Sequence, residues 1–130
     1  MRSSLFLTSI LMLAAIAPAK ATQDDALLTA ALTQAPGKSL EALRVHYAPG
    51  EASKPHSHDC DAYVYVLSGH VRSQVEGQPL RVYAPGDDWF EPAGAQHLVS
   101  ANASDSEPAT MLVVFVGQPH AQPGSRTQSR

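Results

Sequence analysis

Three histidines stand at spacings that suit a metal ion. His56 and His58 flank Ser57 in the run Lys54-Pro55-His56-Ser57-His58, and His97 closes the run Pro92-Ala93-Gly94-Ala95-Gln96-His97. Residues two apart on an extended strand point to the same side, so His56 and His58 can aim both imidazoles at one point while Ser57 faces away. A third imidazole from His97 would complete a three-histidine site that leaves coordination positions open for water or substrate. Imidazole nitrogens are donors of borderline softness. They suit a divalent transition metal (Fe, Mn, Ni, Co, Cu or Zn) over Ca or Mg, and they do not choose among the six. Because imidazole must be deprotonated to ligate, occupancy is expected to fall as pH drops through about 6. The competing reading keeps the three histidines as polar core or ligand-contact groups with no ion between them.

Other residues near these runs could add to the chemistry. Glu91 lies just before Pro92 and a few residues from His97. It is the candidate fourth ligand or general base, the alternative being a carboxylate that orients a ligand histidine through a hydrogen bond. Cys60 shares the parity of His56 and His58 and could reach an ion as thiolate, although an exported lone cysteine beside a metal is open to oxidation. Tyr63 and Trp89 are candidate pocket residues; a Tyr63 that turned inward could hydrogen-bond a substrate, while the blander reading makes Tyr63 and Tyr65 packing residues. Asp59 and Asp61 are expected to be solvated in the loop after His58. His46 and His70 fall on polar faces, and His120 belongs to the tail.

Short β-prone runs separated by turn residues must position these groups. Leu43, Val45 and Tyr47 alternate with Arg44 and His46, the period of a half-buried strand. Tyr63-Val64-Tyr65-Val66-Leu67 reads as a strand buried on both sides, ending at Ser68-Gly69. Val71, Ser73 and Val75 alternate with polar residues, Gly77-Gln78-Pro79 marks a turn, and Leu80 to Ala84 forms the return strand. Strands are also expected at Trp89 to Glu91 and at His97 to Ala101, on either side of a reversal at Pro92-Ala93-Gly94. Thr110 to Val116, apolar almost throughout, is expected to be a central strand closing the core. Residues 22–35 have local helical propensity, which tertiary context can override; within a barrel, Leu27 to Leu32 forms an edge strand. With no long helical period between strands, the fold class is all-β, a single antiparallel barrel or sandwich.

The chain has 130 residues and a formal net charge of −3. Met1-Arg2, an apolar run from Leu5 to Ala17, and Ala19-Lys20-Ala21 describe a secretory signal peptide, too short in its apolar part to span a bilayer comfortably. The domain plan is therefore a signal peptide at 1–21, a barrel domain at 22–116 and a disordered tail at 117–130 that lacks apolar content. Cleavage is expected after Ala21, the alternative being an uncleaved membrane anchor, and the mature protein is expected to be exported to the periplasm or the extracellular space with no membrane attachment. Losing Arg2 and Lys20 leaves seven basic residues against 12 acidic, a formal charge of −5. An acidic surface argues against nucleic acid or anionic membrane as partner. A single cysteine allows no internal disulfide.

The two runs resemble the motifs of the cupin family, G-x5-H-x-H-x3,4-E-x6-G and G-x5-P-x-G-x2-H-x3-N. Gly50, His56, His58 and Gly69 match the first motif, and Gly86, Pro92, Gly94 and His97 match the second, with Asn102 one residue late. The acid of the first motif is missing: Ala62 occupies its slot and Tyr63 the next position. The resemblance implies a small cupin-like double-stranded β-helix, or jelly roll, with a divalent metal near its centre and a small-molecule ligand or substrate. It also makes a homodimer a candidate assembly. Cupins range from dioxygenases, decarboxylases and isomerases to modules without catalysis, so two readings stand. One is a three-histidine dioxygenase of enolisable substrates, or an oxygen-independent variant with Glu91 as base. The other is a non-catalytic module that binds or senses a small ligand or metal.

Overall fold

The structure is a computed structural model that describes residues 24–119. The expected signal peptide, the tail from His120 onward and His120 itself lie outside the described residues. Those described form strands β1 (Asp24–Ala31), β2 (Ser39–Tyr47), β3 (Ala52–Ser53), β4 (His56–Ser57), β5 (Asp61–Ser68), β6 (Val71–Val75), β7 (Arg81–Tyr83), β8 (Asp88–Glu91), β9 (Gln96–Asn102) and β10 (Ala109–Gly117), with no helix among them. Every pairing is antiparallel. One sheet runs β1-β2-β10-β5-β8 and the other β3-β9-β6-β7, with β4 also pairing to β9. The fold is the all-β jelly roll read from the sequence.

The core lies between the two sheets. Leu43, Val45 and Tyr47 of β2, Val64 and Val66 of β5, and Met111 and Val113 of β10 face Val71 and Val75 of β6 from the opposite sheet. Burying each such aliphatic side chain contributes roughly 1.5–3 kcal/mol. That exceeds propensity differences of at most about 0.7 kcal/mol per residue, so pattern outweighs local preference. The alanine-rich first segment is accordingly a strand, because the helical alternative would leave the edge of β2 unpaired along its length. Its register slips once, between Ala26 and Leu28. Strand β10 sits centrally, between β2 and β5, and runs through Gly117, which pairs with Ser39 one residue past the boundary expected at Val116.

Strand β5 departs from expectation. Ala62, Val64 and Val66 are buried, but Tyr63, Tyr65 and Leu67 are 41%, 36% and 44% exposed. The run is apolar on both faces in composition only. Among the described residues no helix covers the outer face of this sheet, and an antiparallel sheet tolerates one solvated face.

The sheets are tied by polar contacts as well as by packing. The Tyr47 hydroxyl, on β2, lies 2.7 Å from Ser53 Oγ and 2.8 Å from Ser100 Oγ of the other sheet. Asn102, the last motif residue, is buried and structural. Its amide nitrogen donates to the carbonyls of Ala48 (3.0 Å) and Glu107 (2.7 Å), clamping two loops together.

Candidate functional site

Backbone pairing brings the two histidine runs together. His56 is the cross-strand partner of His97 in the β4–β9 pair, which places their Cβ atoms about 4.5–5.5 Å apart. His58 follows β4 in a loop whose position is fixed by the Pro92–Gly94 reversal. Gly94 N donates to the His58 carbonyl at 2.7 Å, and Ala93 N donates to Asp61 Oδ1 at 2.9 Å. Gly94 holds a left-handed backbone, φ +80°, that admits this reversal. Asp61 is exposed, as read, and its carboxylate also pins one motif to the other.

The imidazoles converge. The His56 ring centre lies 4.9 Å from that of His58 and 5.2 Å from that of His97. An imidazole bound at about 2.0–2.1 Å puts its ring centre about 3.2 Å from an ion, so two such rings stand about 4.5–5.2 Å apart. His56 Nδ1 donates to the Lys54 carbonyl at 2.7 Å, leaving Nε2 with the lone pair. His97 Nε2 lies 2.8 Å from the buried Ser73 hydroxyl. The His58 ring rests on Phe115, 4.8 Å between centres.

Glu91 is the anionic member of the cluster. Its carboxylate is buried; Oε1 accepts from the Trp89 indole at 2.8 Å and lies 3.1 Å from His97 Nδ1, while Oε2 lies 3.7 Å from His58 Nε2. Among the described residues, no three of these groups are already closed around a common point. The donor set nevertheless suits a divalent transition metal. Neighbouring donors around an ion with bonds of about 2.0–2.2 Å stand about 2.9–3.5 Å apart, a range that includes the 3.1 Å between Glu91 Oε1 and His97 Nδ1.

Above this floor lies a cavity of about 60 Å³. Its walls are Leu43, Val45, Val64, Trp89, Met111, Val113 and Phe115, and its polar lining includes Tyr47, Ser100, Asp24 and Glu41 in addition to the cluster. Trp89 therefore does line the pocket. Cys60 and Tyr63 do not. Tyr63 points outward from β5, where its hydroxyl donates to Asp88 at 2.8 Å, because strand parity fixes it opposite to Ala62 and Val64. Cys60 is buried outside the pocket lining, and burial, followed by the charges of Asp59, Glu41, Asp61 and Glu91, pushes its thiol up to about 11. A thiol held protonated is not a thiolate donor. At pH 8, alkylation of Cys60 by iodoacetamide in the folded protein is expected to be at least about 100-fold slower than in denaturant, since only thiolate reacts; equal rates would show an accessible thiolate.

Ser73, Glu41 and Phe115 escaped the reading of the sequence. For the first two a signal was present, since Ser73 shares the inward parity of Val71 and Val75, and Glu41 that of Leu43 and Val45. A polar side chain on an apolar face is bound to find a partner. His46, by contrast, sits at the rim as read, between Asp25 (3.1 Å) and Thr110 (3.2 Å).

Comparison with known proteins places this geometry in a family. The profile described as a cupin domain matches residues 43–115. The chain belongs to the cupin family. It is 31% identical over 85 residues to dimethylsulfoniopropionate lyase DddQ of Ruegeria pomeroyi, covering 65% of this chain and 41% of that one, so this cupin spans well under half the length of that curated relative. The crystal structure of DddQ superposes with a TM-score of 0.62 at 24% identity, over 78% of this chain and 49% of that one. The protein TT1209 of Thermus thermophilus superposes with a TM-score of 0.61 at 30% identity, covering 79% of this cupin and 91% of TT1209.

Proposed function

We propose that this cupin is an exported, metal-dependent enzyme that removes a proton from a small enolisable molecule, in chemistry of the lyase or isomerase type. The observation that carries this is the convergence of His56, His58, His97 and the buried Glu91 carboxylate at the floor of an apolar cavity. The three imidazoles and one oxygen of Glu91 would hold a divalent transition metal, which when bound would supply Lewis acidity to a substrate oxygen.

The protein's own groups do the remainder. Lys54 O fixes the His56 ring, Ser73 fixes His97, and Trp89 fixes one Glu91 oxygen, so reorganisation at the moment of reaction is small. Oε2, the oxygen of Glu91 that the indole leaves, takes the proton. The C–H bond breaks, and its electron pair forms a double bond to the next carbon as a leaving group departs, or moves onto a carbonyl oxygen. The aliphatic walls keep water away from the carbanionic centre. Neither Lys nor Arg lines the cavity among the described residues, so an anionic group on the substrate has no side-chain cation there to hold it. Likeness to a lyase supports an oxygen-independent reaction over the dioxygenase reading.

The test is a panel of enolisable acids, ketones and dimethylsulfoniopropionate in deuterated buffer, with dissolved oxygen followed in parallel. Metal-dependent exchange or elimination without oxygen uptake is expected, and Glu91→Gln should lower it at least about 100-fold. Oxygen uptake would restore the dioxygenase reading, and inertness toward every compound would favour the binding module.

A further inference from the structure

The missing motif acid has an explanation in the strand register. Ala62, the residue in the acid's slot on β5, is the direct cross-strand partner of Glu91 on β8. Both face the interior: Ala62 is 1% exposed and Glu91 5%. Directly opposed residues of an antiparallel pair carry Cβ atoms about 4.5–5.5 Å apart, a gap that a Glu side chain from either strand spans. A carboxylate launched from 62 or from 91 can therefore reach the same point among the three imidazoles. The neighbouring volume agrees. On the other side of Ala62 its partner is Phe115, whose ring packs on His58, so a small residue at 62 leaves room for Phe115 on one flank and Glu91 on the other.

We infer that Glu91 is the relocated carboxylate of the metal centre, moved across one strand pair from position 62 to position 91 with its site of action unchanged. This rests on the metal-centre reading above and adds which residue supplies the charge and why Ala62 is small. Trp89 has a place in the same exchange. It lies two residues before Glu91 on the same face of β8, and its indole hydrogen bond holds the carboxylate toward His97.

The experiment is a carboxylate swap read by calorimetric titration with Zn(II) or Mn(II), with thermal melting to confirm folding. Glu91→Ala should weaken binding at least about tenfold. Adding Ala62→Glu to Glu91→Ala should bring affinity back to within about threefold of the wild type, because the lost carboxylate is returned to the same point from the facing strand. Ala62→Gln with Glu91→Ala, equal in size but uncharged, should stay at the weakened level. If the Ala62→Glu swap does not fold, Ala62→Asp with Glu91→Ala serves in its place with a shorter side chain. A folded swap protein no tighter than Glu91→Ala, or restoration by Gln as well as by Glu, overturns the relocation while the metal centre stands. A wild-type protein that binds neither ion overturns the metal centre, and the relocation with it.

Discussion

Replacing His56 with alanine is expected to weaken divalent transition-metal binding by on the order of 1,000-fold, because losing even an outer partner of a ligand typically costs about 10–100-fold. His56 is in ring contact with both of the other histidines. Its Nδ1 is spent on the Lys54 carbonyl and its Nε2 faces the cluster, whereas His97 is also bonded to Ser73 and to Glu91. The substitution leaves one backbone carbonyl without its donor near the surface, a stability cost of about 1–2 kcal/mol, so the barrel should remain folded. Competition against a chromogenic chelator measures the affinity. A change of less than threefold in folded protein would remove His56 from the site.

Gly69→Ala is expected to cost more than about 4 kcal/mol, a loss comparable to the whole stability of a marginal domain. Gly69 closes the turn between β5 and β6 with φ +69°. A Cβ there would stand 2.7 Å from Ala109 Cα and 2.9 Å from Ala109 Cβ, and would also strike the carbonyl oxygen of Pro108. These atoms lie at, and one residue before, the start of β10, the strand that joins β2 to β5, so the clash cannot be relieved by turning a side chain. Gly77 is the control. Its φ is +78° but nothing lies within 4 Å of a Cβ placed there, so Gly77→Ala should lose only the conformational cost, about 1 kcal/mol. Chemical denaturation of both variants checks the contrast, and equal losses would show that the backbone angle alone fixes the motif glycine.

Much of this was legible in the sequence, and the parts that were not share a cause. The alternation of Leu43, Val45 and Tyr47 and the reversal before His97 are local patterns, and each leads to a strand or a turn of the expected kind, whereas the extended strand expected through His56 and His58 stops at Ser57 and leaves His58 in a loop. Strand register is not local. The pairing of Ala62 with Glu91, and of His56 with His97, depends on which strands meet and at what offset, which no residue announces by itself. The outward face of β5 was misread because apolar composition at Tyr63, Tyr65 and Leu67 does not say whether another layer covers them. Asp61 is exposed as read, but its partner, the amide of Ala93, lies 32 residues away and was not visible in the sequence. Cys60 shared the parity of the histidines only if the strand continued through it; the chain instead bends at Asp59-Cys60 before β5 begins, and the thiol leaves the cavity.

The most direct measurement is elemental analysis of the folded protein purified without added metal. The proposed metal centre predicts about one transition-metal ion per chain, retained on dialysis at neutral pH and lost in His56→Ala. Folded mature protein that holds no transition metal and takes none up when supplied would contradict it.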